Sequence, residues 1–175
     1  MILDCIVKAI FLFLIYNIVT LLIFGVPKSL SMTFYLYKER LDSLKVLFPA
    51  MIAMLVICLM PCWIQISEGS NFQFLSFLSA ASLAFVGAAP VFKSSSLENS
   101  VHQVSAYFCA ACALLWIILV TPYWYVILIV LGIVAALAVV TKTWKTSYIY
   151  WLEMVAFVST FITIVCYYES YVKFI

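Results

Sequence analysis

Tyr148 to Val172 reads YIYWLEMVAFVSTFITIVCYYESYV. Apolar side chains fall on every face of a helix drawn through this stretch, and as far as Tyr168 its one formal charge is Glu153. A helix that is apolar all round is buried in a large core or in a membrane. About 20 such residues, at roughly 1.5 Å each, cross a hydrocarbon layer of about 30 Å. A barrel strand would alternate apolar and polar residues, and this stretch does not.

The rest of the chain decides between core and membrane. Of 175 residues, 68% are apolar and 9% are charged, with a mean hydropathy of +1.23. Soluble domains carry about 45–50% apolar and about 25% charged residues. A domain of this size has too little interior to hide such a surplus. The composition therefore excludes soluble enzymes, secreted domains and nucleic-acid binders. Five further stretches resemble the first: Ile6 to Val26, Val46 to Ile66, Gln73 to Phe92, Val101 to Val120 and Tyr123 to Val140. The expected fold is all-α, a single bundle of six transmembrane helices over 1–175. The first stretch exceeds a signal-peptide apolar region, and Asp4 precedes it, so it is read as a retained helix.

With six spans, one face collects Lys28, Lys38, Arg40, Lys45, Lys93, Lys142 and Lys145, and the other only Lys8 and Lys173. Cytoplasmic loops hold the excess of Lys and Arg. The expectation is a multi-pass protein of the cell (inner) membrane with both termini outside. The longest connection, Lys28 to Lys45, contains Tyr35, Tyr37, Lys38, Glu39 and Arg40, which suit the headgroup level.

Small residues mark where helices in lipid approach closely. Ser76, Ala80, Ala84 and Ala88 recur every fourth residue in the third span, and His102, Ala106, Ala110 and Ala113 share a stripe in the fourth. Glu153, Ala156, Thr160 and Thr163 share one in the sixth. These stripes place spans three, four and six near the middle.

An ionisable group inside a membrane is expensive and is a candidate for function. Glu153 lies about five residues, or roughly 7–8 Å, inside its helix. His102 opens the fourth span at the same face. Glu98 precedes it by one turn, Lys93 ends the third span, and Ser31 follows the first. Two readings stand side by side. In one, Ser31, Lys93, Glu98, His102 and Glu153 form a cytoplasmic-side polar site for a lipid headgroup, small solute or ion. In the other, Glu153 caps or pairs with Lys93, Lys142 or Lys145, and His102 caps its own helix. Asn17 and Thr20 are expected to bond between helices, and Asp4 and Lys8 to form a local ion pair.

Six cysteines are present, with Cys109 and Cys112 spaced as C-x-x-C. They fall near mid-membrane, where a thiol acts as a small hydrophobe. A disulfide among Cys5, Cys58, Cys62 and Cys166 is one option in an oxidising compartment. A lone histidine cannot make a two-histidine haem site or a multi-histidine zinc site, so no metal and no cofactor is expected. The reading is a non-enzymatic membrane protein whose partners are membrane lipids, with a homo-oligomer or a membrane-protein partner also open. The rivals are an oligomeric channel or small transporter, an enzyme using His102 with Glu98 or Glu153, and an effector that recruits a protein.

Three short motifs add to this. Pro27-Lys28-Ser29-Leu30-Ser31 follows the first span. Phe85-Val86-Gly87-Ala88-Ala89-Pro90 closes the third, and His102-Gln103-Val104-Ser105-Ala106 opens the fourth. Together they resemble the six-helix DRAM/Sfk-type membrane proteins and their bacterial relatives of unknown function. That family has an Ile-Ser-like turn after its first helix, a Gly-Pro turn ending its third, and His-x-x-x-Ala opening its fourth. The resemblance covers the exit of the first span and residues 85–106. It implies no catalytic activity and points to Ser31, Pro90 and His102. The charge bias that puts both termini outside departs from the family.

Overall fold

The computed structural model describes residues 2–88 and 96–173, with side chains described for 2–88 and 103–170. Among these residues it is all-helical. Each of the six apolar stretches carries one long helix. They are α1 (Ile2–Phe24), α3 (Leu47–Ile66), α4 (Phe74–Ala88), α5 (Ser96–Val120), α6 (Tyr125–Val140) and α7 (Tyr148–Lys173). The long connection supplies one more, α2 (Met32–Arg40), and a 3₁₀ turn over Asp42–Val46. Four helical segments are long and apolar enough to cross a membrane: Ile2–Phe24, Asp42–Ile66, Gln103–Val120 and Tyr148–Ser170. With 15 and 16 residues, α4 and α6 are shorter, about 22–24 Å at 1.5 Å per residue.

The outer surface fits lipid as solvent. Leu22 is 81% exposed and Val140 78%, with Ile18, Leu128, Ile133 and Val139 also on the outside. Water would penalise so much contiguous apolar surface. Inside this shell lie buried polar residues such as Asn17, Thr33, Ser67 and Ser76, and polar contacts and close fit carry the packing.

Local chemistry sets the helix ends. Gly25 sits at φ +72°, where its N–H bonds Leu21 O at 3.0 Å, and the buried Pro27 then forbids another helical turn. Two buried hydroxyl contacts dock α2 on α1. Tyr16 meets Thr33, and Thr20 Oγ1 meets the Tyr37 hydroxyl at 3.1 Å. The Tyr37 ring also stands edge-on to Phe24, with centroids 5.1 Å apart. Asn17 donates to Phe13 O within α1 and accepts from the Tyr150 hydroxyl of α7 at 3.2 Å. Asn17 and Thr20 thus bond across elements, as their place in an apolar run suggests.

The centre of the bundle is α7, as its stripe of small residues predicts, together with α3, a correction to the expectation that α4 and α5 would join it there. Phe48, Met51, Ile52, Leu55, Leu59 and Trp63 of α3 are all buried. On α7, Phe157 and Phe161 clasp Phe13 of α1, with ring centroids 4.8 and 5.2 Å away. Large side chains from several neighbours meet best on a central helix, whereas small ones mark a close approach of just two. Gly87 of α4 illustrates the second case: a Cβ there would lie 2.8 Å from Ile52 Cγ2 of α3.

At one end, Trp116 of α5 donates its indole N–H to Ser67 Oγ at 2.7 Å, and Ser67 meets Ser76 Oγ at 2.8 Å. There too the Tyr123 hydroxyl donates to Cys166 O at 3.2 Å. At the opposite end the turn after α1 meets the start of α7. That end carries the exposed Lys28, Lys38, Arg40, Lys142 and Lys145, with the half-buried Lys45 bonded to Asp42 at 2.7 Å. Asp4 and Lys8, paired at 2.7 Å, lie at the other.

Candidate functional site

The turn between α1 and α2 is held at three points, by Ser147 just before α7 and by Tyr150 and Glu153 within it. Ser147 Oγ donates to Val26 O at 3.4 Å, and Tyr150 N donates to Lys28 O at 3.2 Å. Leu30 N donates to Glu153 Oε2 at 2.7 Å. The spacing is dictated by the helix, since residues three apart lie on one face. Tyr150 N belongs to the first turn of α7, where amides lack partners inside their own helix. The carbonyl of Lys28 satisfies it. The Leu30 amide bonds a carboxylate, the stronger, charge-assisted kind of hydrogen bond.

Glu153 therefore turns inward, toward the neighbouring helices. Its partner is a backbone amide, which neither sequence reading named. Among the described residues the ion pairs are Lys8 with Asp4 and Lys45 with Asp42, so Lys142 and Lys145 do not pair with Glu153. That corrects the two described pairings in the structural reading. Both lysines are exposed and project from the α6–α7 connection, and Lys145 lies over the Trp144 ring at 4.8 Å.

Glu153 also forms one wall of a cavity. Leu30, Phe48, Ile52, Leu59 and Trp63 line it from the turn and α3, and Leu83 and Val86 from α4. Ala106, Cys109, Ala110 and Ala113 line it from α5; Ala156, Phe157 and Thr160 join Glu153 from α7. The enclosed cavity is about 50 Å³ and opens on one side as a groove. Among the described residues the walls are apolar apart from Glu153, the Cys109 thiol and two groups deeper in. Thr160 Oγ1 donates to Ala156 O at 2.8 Å. Trp63, 2% exposed, has an indole N–H with no hydrogen-bond partner among the described residues. An unsatisfied buried donor costs about 1–3 kcal/mol and asks for an explanation.

The five residues singled out in the sequence separate here. Glu153 lines the cavity. Ser31 does not: its hydroxyl meets Ser29 Oγ at 3.1 Å, and Ser29 accepts from Met32 N. Leu30, the neighbour of Ser31, is the residue that enters the site. Lys93 lies outside the described residues, as does Pro90. Glu98 and His102 lie on α5, and their side chains lie outside the described ones. Because α5 starts at Ser96, His102 is in its second turn and is not its cap, a correction to the structural reading. Glu98, His102 and Ala106 thereby fall on one helical face, each a turn apart. The stripe Ala106, Ala110 and Ala113 leaves the space of the cavity instead of filling it.

All six cysteines are free thiols. Cys109 donates to Ser79 O at 3.4 Å, across to α4. No group of three or more metal-ligating side chains occurs among the described residues. Comparison with known proteins gives no match to a family model, a curated protein or a solved structure.

Proposed function

We propose that this chain is a non-enzymatic membrane protein of six crossings that binds a lipid in the groove between α3, α4, α5 and α7. The lipid's polar end lies at Glu153, and its tail runs between α3 and α5 toward Trp63. The observation that carries this reading is a carboxylate at one end of a groove whose other described lining residues are largely apolar. Water or a free ion would leave those apolar walls poorly solvated, whereas an amphiphile matches both parts. The six-helix resemblance in the sequence is compatible with this reading and adds no chemistry to it.

In this arrangement the cation-rich end faces the cytoplasm and α1 starts outside. The shorter α4 and α6 cross where the bilayer thins or flanking residues snorkel, at a modest cost per ångström of mismatch.

Lipid extracted from the purified protein tests the groove. Ala110→Phe, which fills it from α5, is expected to remove most of the lipid retained by the natural chain while the protein still elutes as a folded species. Equal retention by the two proteins, measured by mass spectrometry of the extracts, would refute binding in the groove.

A further inference from the structure

The chemistry of the groove narrows the class of lipid, and this step rests on the lipid-binding reading above. The acidic group among its described lining residues is Glu153, with two carboxyl oxygens. One of them already accepts the Leu30 amide. None of the described lysines or arginines forms an ion pair with it. A carboxylate facing apolar walls is costly unless a cation or several donors face it. The same carboxylate repels phosphate and carboxylate head groups.

Size narrows the choice again. The part of the groove enclosed by protein is small, about 50 Å³. Along α3 the lining runs from Phe48 to Trp63, a rise of roughly 22 Å. A single extended chain fits that length. The alanines on α5 and α7 keep the groove open along it.

We infer that the groove selects a single-chain lipid with a protonated amine head, its ammonium set against Glu153 and its chain directed toward Trp63. A long-chain amine supplies three donors and one positive charge in a compact head. It can bond the carboxylate while Leu30 N–H keeps its own contact.

The test uses the full chain in uncharged detergent with three probes of equal length: hexadecylamine, hexadecanol and hexadecanoate. Native mass spectrometry measures the bound fraction of each. The expected result is at least tenfold tighter binding of the amine than of the alcohol or the acid. Glu153→Gln should reduce the amine to the level of the alcohol. Equal binding of the three probes, or preference for the acid, would overturn the head-group assignment. In that case Ala110→Phe still abolishes binding of every probe, and the groove itself stands. Binding that Ala110→Phe leaves unchanged would overturn the groove as the lipid site. The probe series on the natural chain needs no variant, so poor folding of Glu153→Gln does not blunt it.

Discussion

Lys142 is the described non-glycine residue with positive φ, at 57°. It ends α6 in a six-residue turn. Thr143 N reaches back to Ala138 O at 3.0 Å, and Lys142 N to Val139 O at 3.0 Å. Glycine adopts this conformation without the Cβ clash that a lysine meets. Lys142→Gly keeps both bonds and should stabilise the protein by about 0.5–1 kcal/mol, after allowing for the looser unfolded chain. A higher midpoint of thermal unfolding in detergent is the expected reading. Glu153 shows what a sequence reveals at this scale. A carboxylate within an apolar run stands out because water is absent around it. Its partner does not, because a backbone amide has no residue type to betray it. Ser31 was picked for its hydroxyl, but Leu30, one position earlier, enters the site through its main chain.

Helix contacts rest on a few close approaches. Gly87 of α4 faces Ile52 of α3, and a Cβ on the glycine would press on both Cγ2 and Cβ of that isoleucine, at 2.8 and 3.0 Å. A β-branched side chain has little freedom to step aside. Gly87→Val should therefore push the two helices apart and cost about 1–3 kcal/mol. A lower unfolding midpoint checks this, and Ile52→Ala in the same chain should recover part of the loss. The six long helices are legible from their apolar runs, but the start of α5 is not. The polar letters before Val101 look like loop, yet α5 begins at Ser96. An acid in the first turn, here Glu98, suits the positive end of the helix dipole. The alanine stripe on α5 was legible as a line of small side chains. Periodicity could not tell whether a neighbour fills that line or leaves it vacant, because the answer depends on the side chains opposite. Ala156, Leu83 and Val86 stand across it, with the groove between.

The two ends of the whole bundle differ in charge. Lys28, Lys38, Arg40, Lys45, Lys142 and Lys145 lie at one end, against Glu39 and Asp42; Lys8 lies at the other with Asp4, Glu68 and Glu169. Six crossings with the cationic end inside make a direct prediction. In intact cells, cysteines introduced at Glu68 and Trp124 should gain reaction with an impermeant maleimide over the native thiols. Those at Ser43 and Lys145 should gain it only after permeabilisation. If α6 failed to cross, Trp124 and Lys145 would report the same side. The charge asymmetry was visible in the sequence because it needs only loop order. The central place of α7 was visible too, from its stripe of small and polar residues; that of α3 was not, since apolar letters look alike whether they meet lipid or protein.

The clasp on residues 26–30 also bears on how the chain is made. Its three anchors, Ser147 just before α7 and Tyr150 and Glu153 within it, come with the helix that the ribosome delivers last among those seen here. The hairpin of α1 and α2 therefore emerges early and must wait, its turn unfastened, through the synthesis of more than a hundred residues. The turn after α1 is fastened only once α7 has joined the bundle.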